Sequence, residues 1–259
     1  MRTIALIIMT ILTLAASAVV AQEQKNESPL APGILLTFDD RHNIHHWTQQ
    51  LELFEKYGAR ATFFINYPEK FTQQETADLK LLADAGMAIG VHGVHHVKSV
   101  DYIEEHGAEA FLAEEVVPAL EALRAIGLEP TSFAYPMSQH DARTDAALKT
   151  LFRHARSGKG IPEGKTMAET DLFFTPVSEV KETFTFVGRG NDMSSPESIE
   201  KHVFPALQRA KDRGEIVVFY SHNIAPEGKS HFIRPAVLEM ILAKAKELGL
   251  NFYTYDDLP

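Results

Sequence analysis

Short apolar runs alternate with longer stretches of helical period along this chain. Residues 33–38, Gly-Ile-Leu-Leu-Thr-Phe, lack the strict in–out alternation of a half-exposed strand. A strand covered on both faces, as in a parallel sheet under helices, has that character. Residues 44–57 carry a helical period closed by Gly58, and 61–65 form the next strand. A helix over 72–85 ends at Gly86, followed by a strand over 88–91. The pattern then predicts an amphipathic helix over 109–126, a strand over 132–135 stopped by Pro136, and a helix over 141–152. Residues 157–182 are broken by Pro162, Gly164 and Pro176 and predict irregular structure. A helix over 195–213 with a kink at Pro205, a strand over 215–220, a helix over 235–248 and a strand over 251–255 complete the series. Repeated strand–helix units with glycine at the helix ends predict a parallel sheet, and about seven of them favour a closed barrel over an open sheet.

Composition adds bounds. With 259 residues, 45% of them hydrophobic, the chain supports one sizeable core, placed in a single domain over 33–259. The first residues stand apart: Arg2, an apolar run over 4–14 and small residues over 15–21 have the layout of a secretory signal peptide. Cleavage after Ala21 fits best, after Ala18 second, and an uncleaved anchor is the alternative. Residues 22–32 then form a polar linker, and after cleavage nothing inserts stably in a membrane. The mature chain is expected in the periplasm or outside the cell. There is no cysteine, so neither a lipid-modified N-terminus nor a disulfide is available. The net charge of −10 with no basic run argues against a nucleic-acid partner and is compatible with a neutral or cationic polymer.

In a parallel barrel, chemistry gathers where strands end and loops begin. The predicted strand ends deliver Asp39 and Asp40, then His92, His95 and His96, then Tyr135 and Pro136, and finally His222. His92 and His96 stand four apart, so one helical turn or a tight loop puts both imidazoles on one side. Two histidines and a carboxylate form a common ligand set for an open catalytic metal site. The pair alone is weak in a chain with 12 histidines; Asp39-Asp40 at another strand end strengthens it. Asp-Asp after a strand also suits a helix N-cap and first-turn acid, but consecutive residues point in different directions, which lets one bind a metal and the other face substrate as a base.

Leu36-Thr37-Phe38-Asp39-Asp40 resembles the first motif of the NodB homology domain, the polysaccharide deacetylases of carbohydrate esterase family 4. His92-Gly93-Val94-His95-His96 resembles the second motif, Phe133-Ala134-Tyr135-Pro136 a variant of the third, and Val218-Phe219-Tyr220-Ser221-His222 the last. The resemblance runs from about Gly33 to the C-terminus. It implies a distorted (β/α) barrel with fewer than eight regular units and one divalent metal, zinc first, with cobalt or nickel as alternatives. It also implies roles: Asp39 the general base, Asp40, His92 and His96 the metal ligands, His222 the general acid, and the Tyr135 amide, beside Pro136, a donor to the oxyanion.

The sequence departs from the family at three places. Many members carry arginine at the position of Ala134, pairing with the catalytic carboxylate. An ordinary solvated cation is the leading reading for Arg156 and Lys159, with supply of that missing charge as the alternative. Met137-Ser138 stands where Tyr-Gly is frequent. The family's fourth motif is not evident, and the single tryptophan, Trp47, suits either a sugar platform or helix core. His42, His45 and His46 fit surface positions better than a second metal site, and His231 suits cleft lining and plain surface equally.

The expected activity is metal-dependent hydrolysis of N-acetyl groups on N-acetylglucosamine units of a polymer or oligomer. O-deacetylation of an acetylated xylan-like glycan is the alternative, and a sugar-binding module without turnover the reading from another class. Hydrolysis of a small cyclic amide, open to relatives of the fold, sits poorly with an export signal.

Overall fold

The structure is a computed structural model that describes residues 30–66 and 70–259. The expected signal peptide and residues 22–29 of the linker lie outside the described residues.

Eleven strands are described: β1 (Gly33–Asp39), β2 (Thr62–Ile65), β3 (Ala88–Val91), β4 (Ser132–Ala134), β5 (His154–Lys159), β6 (Phe174–Pro176), β7 (Thr185–Gly190), β8 (Glu215–Ser221), β9 (Asn223–Ile224), β10 (Phe232–Ile233) and β11 (Asn251–Tyr253). Seven of them, in the order β1-β2-β3-β4-β5-β7-β8, are parallel, and β8 pairs back onto β1 to close a barrel. Two more strands distort it at its N-terminal end. β11 takes the lower part of the β1 edge that β2 occupies above, and β6 pairs antiparallel with the start of β8, where β7 does not reach.

The period of two along each strand divides the core. On β1, Ile34, Leu36 and Phe38 join Trp47, Phe54 and Phe63 in the large core beneath the helices. Leu35 faces inward with Phe64, Ala134, Phe186, Ile216, Val218 and Tyr255, a smaller cluster inside the barrel. All seven residues of β1 are buried, as a strand packed on both faces requires.

Several boundaries differ from the sequence expectation. The helix over 44–57 is broken into Ile44–Thr48 and Leu51–Tyr57. The helices over 109–126 and 195–213 each contain a π turn, Phe111–Val116 and Ile199–Val203, just ahead of Pro118 and Pro205. Proline has no N–H and its ring crowds the turn before it, so a wider turn relieves the ladder without ending the helix. Residues 157–182 are less irregular than expected, since β5 runs on to Lys159 and β6 lies within them; β7 was not expected at all. Among the described residues no helix is long and apolar enough to cross a membrane.

Candidate active site

The C-terminal end of the barrel gathers the residues picked out in the sequence. All six non-glycine residues with positive φ among those described lie in its loops: Asp40, His96, Met137, Ser138, Met193 and His231. Left-handed backbone at such positions is costly and persists where the surroundings impose it, most often at functional sites.

Asp39, the last residue of β1, is almost fully buried. Its Oδ2 pairs with an Nη of Arg156, while Oδ1 has no partner among the described residues. Arg156 is buried too, its guanidinium lying against the rings of Tyr220 (4.8 Å) and Phe64 (5.6 Å). Ala134 and Arg156 are register partners across β4 and β5. The cation that many relatives place at 134 therefore arrives from the neighbouring strand, on the same inward face. Lys159 is exposed at the end of β5. Burial works to raise the Asp39 pKa, but Arg156, with His92 and His222, outweighs it and holds the carboxyl below the ordinary aspartate range.

Asp40 follows with φ 82°. Buried Asn66, just after β2, holds it: Asn66 Nδ2 donates to Asp40 Oδ1 (2.7 Å), and its Oδ1 accepts the Arg41 N–H (2.9 Å). The Asp40 N–H itself donates to the Phe64 carbonyl at 3.1 Å.

His92 Nδ1–H donates to the Ala134 carbonyl at 2.8 Å. A carbonyl can only accept, so the neutral ring keeps its lone pair on Nε2. Burial pushes the His92 pKa down to about 4 even against the pull of Asp39, which favours that neutral, ligand-competent form. His92 and His96 are joined by a tight loop rather than a helical turn, with Gly93 at φ 81° and His96 at φ 57°. Their Nε2 atoms lie 3.2 Å apart, and Asp40 Oδ1 is 4.0 Å from each. Donors bonded to one divalent ion at about 2.0–2.2 Å stand no more than about 4.4 Å apart, so the three groups fit a single cation. They form the one cluster of this kind among the described residues.

His222 follows β8. Its Nδ1 meets Asp192 Oδ2 at 2.5 Å and its backbone N–H donates to Asp192 Oδ1 at 3.0 Å. Burial alone would lower its pKa; the Asp192 bond and the Asp39 and Asp40 charges raise it above the ordinary imidazole value. Trp47 is fully buried, which decides against an exposed sugar platform, and its Nε1–H donates to the His222 carbonyl at 2.8 Å. Tyr220 fills the barrel mouth beside Arg156. The inward positions facing it on β5 and β7 are Gly158, Gly188 and Gly190, where an added Cβ would come within 2.7, 3.3 and 2.9 Å of its ring.

The expectation for Tyr135 and Pro136 changes. The Tyr135 N–H donates to the Arg156 carbonyl at 2.8 Å, within the sheet, and its buried hydroxyl donates to Asp145 at 2.6 Å. The amide is thus committed to the β4–β5 pairing and is not free for an oxyanion, and Pro136 has no N–H to give. His42, His45 and His46 are exposed and apart from the ligand cluster, His45 beside Asp78 (3.5 Å) and His46 on Asn223 (2.9 Å). His231 is exposed, its ring 5.0 Å from that of His222, on the rim of the site.

Asp192 and Asn66 were missed in the sequence. Asp192 follows β7, the strand that went unrecognised, so the strand-end rule that found the other residues had nothing to act on. Asn66 does follow an expected strand, but an amide with no partner in view carries no signal.

The sequence model of the polysaccharide deacetylase family matches residues 26–153. No curated protein matches the chain. Several solved structures share the fold. One is a mutant, with restored enzymatic activity, of a CE4 family pseudoenzyme from Bacillus anthracis: 15% identity, 89% of this chain and 68% of that one, TM-score 0.53. Another is the catalytic domain of a peptidoglycan N-acetylglucosamine deacetylase from Eubacterium rectale: 15% identity, 87% and 89%, TM-score 0.52. A third is the Xyl-CE4 domain of a multidomain xylanase from the hindgut metagenome of Trinervitermes trinervoides: 14% identity, 88% and 89%, TM-score 0.51. At these identities the likeness establishes the fold.

Proposed function

The chain belongs to the polysaccharide deacetylase family, and from that premise we propose that it is an exported enzyme that hydrolyses acetyl groups on a glycan, the N-acetyl groups of N-acetylglucosamine units first, using one divalent metal, zinc foremost. The observation that carries this reading is the buried Asp39 carboxylate beside the Asp40–His92–His96 cluster: its Oδ2 lies 4.0 Å from His92 Nε2, and its Oδ1 has no partner among the described residues. Export rests on the character of residues 1–21.

When bound by Asp40, His92 and His96, a divalent cation would acidify a water and polarise the acetyl carbonyl. Asp39 takes the water's proton on its open Oδ1 as the nucleophile attacks. Arg156 keeps Asp39 ionised in a site where burial alone would neutralise it. His222, turned by Asp192 so that Nε2 faces away from Nδ1's partner, carries the proton needed by the departing nitrogen or oxygen. An amide nitrogen needs that proton more than an ester oxygen does, and the raised His222 pKa suits the harder leaving group.

A binding module without turnover would be free to lose parts of this set, and pseudoenzymes occur among the similar folds. Here Asp39, Asp40, His92, His96 and His222 are all retained, with Arg156 in contact with Asp39. The test is acetate release by the mature chain, after chelation and metal add-back, on N-acetylglucosamine oligomers and acetylated xylan in parallel. Release restored by metal and lost in Asp39→Asn and His92→Ala is expected, larger on the oligomers. Greater release from xylan would reassign the enzyme as an esterase; none from either substrate would make it a binding module.

A further inference from the structure

We propose that Glu115 is a positioning residue for the metal-binding loop, holding the His92–His96 turn in its ligating shape from outside the barrel. The inference rests on reading Asp40, His92 and His96 as metal ligands. Glu115 lies in the π turn Phe111–Val116 and its side chain is only 2% exposed. It lies amid an apolar helix face whose Phe111, Val116, Ala119 and Leu120 belong to the core. A carboxylate in such company needs partners, and the two bonds described for it, with one more to the Glu115 carbonyl, all come from one short loop. Its main-chain carbonyl accepts the Val94 N–H at 3.0 Å. Its Oε2 accepts the His95 N–H at 2.8 Å, and its Oε1 meets His95 Nδ1 at 2.5 Å.

The loop has reason to be held. Gly93 (φ 81°) and His96 (φ 57°) are both left-handed, and His96 is not glycine. Strain of that kind survives only where contacts over-determine the backbone. Glu115 grips Val94 and His95, two of the three residues between the histidine ligands, fixing where His96 leaves the chain. The His95 ring is itself 71% exposed, so its bond to Glu115 does not bury it. Its use is to tie the loop to the helix.

The readout is zinc affinity, measured by titrating zinc ion alone into the full mature chain by calorimetry, with circular dichroism as the check on folding. His96→Ala serves as the control on the ligand assignment. Glu115→Ala is expected to weaken zinc binding by about 10- to 100-fold, the usual cost of removing a group that orients a ligand. Glu115→Gln, which keeps an acceptor oxygen, is expected to stay within about threefold of the parent. A purely structural role would lower the melting temperature and leave zinc affinity of the folded protein unchanged, and that result for Glu115→Ala would overturn the proposal. Should Glu115→Ala not fold, His95→Ala decides at an exposed position: at least about threefold weaker binding is expected, and parent affinity overturns the idea. No zinc binding by the parent, or none lost in His96→Ala, would instead bring down the ligand assignment, and the proposal with it.

Discussion

Among the described residues the barrel has two buried arginine–carboxylate pairs, one at each end, and they are built differently. At the N-terminal end Arg209 donates through Nε and Nη2 to both oxygens of Glu215, each at 2.9 Å. Its remaining donors reach the carbonyls of Ala168 and Thr170 and the Asp171 carboxylate, and Phe174 stacks on it at 3.9 Å. It ties the segment before β6 to the first residue of β8. At the C-terminal end Arg156 contacts one oxygen of Asp39, and both Arg156 Nε and Asp39 Oδ1 are left over among the described residues. A satisfied pair holds chain to chain. An unsatisfied one keeps a charged oxygen ready for another molecule, at a cost in stability that only a functional site justifies.

That contrast can be broken by experiment. Asp39→Asn should cut acetate release by about 10²–10⁴-fold, the worth of a positioned base, in protein whose circular dichroism is unchanged. Glu215→Ala should do the reverse: breaking a buried pair costs about 3–5 kcal/mol, read as a lower denaturation midpoint, while kcat/KM of the folded fraction stays within about twofold. If Glu215→Ala lost activity without losing stability, the division between the two ends would fall. Arg156→Ala should lower kcat/KM by about 10–100-fold, and adding Ala134→Arg should recover part of it, because the two positions are side by side on the inward face. No recovery would mean that the charge must come from β5. The smallest effect sharpens the acid. Asp192 helps raise the His222 pKa, so Asp192→Asn should lower it. A general acid works while protonated, so the alkaline limb of the kcat profile should move to lower pH, with activity at pH 8 falling relative to pH 6. An unmoved limb would remove His222 as the acid.

Much of the fold was legible because buried parallel strands write themselves as apolar runs. β1, β2, β3, β4 and β8 were found that way, and with them the residues that the structure gathers at their ends: Asp39, Asp40, His92, His96 and His222. β7 was not, because its inward positions include Gly188 and Gly190, which dilute the apolar signal and are there to admit the Tyr220 ring. With β7 went Asp192. The contact of Arg156 with Asp39 was visible only as one of two options, since it depends on β4 and β5 lying side by side in register, a relation between distant residues that no local pattern records. Tyr135 shows the opposite error: the motif suggested a free amide where sheet pairing had already used it. Glu115 and Asn66 escaped for the same non-local reason, each acting on a loop far from it in the chain.

Trp47 gives the molecule an optical property of its own. It is the single tryptophan, fully buried, and its indole N–H bonds to the main-chain carbonyl of His222. Its fluorescence therefore comes from one place, within a hydrogen bond of the residue proposed to carry the leaving-group proton, and a shift of that loop as a sugar chain enters would register as a change in colour or intensity without any label.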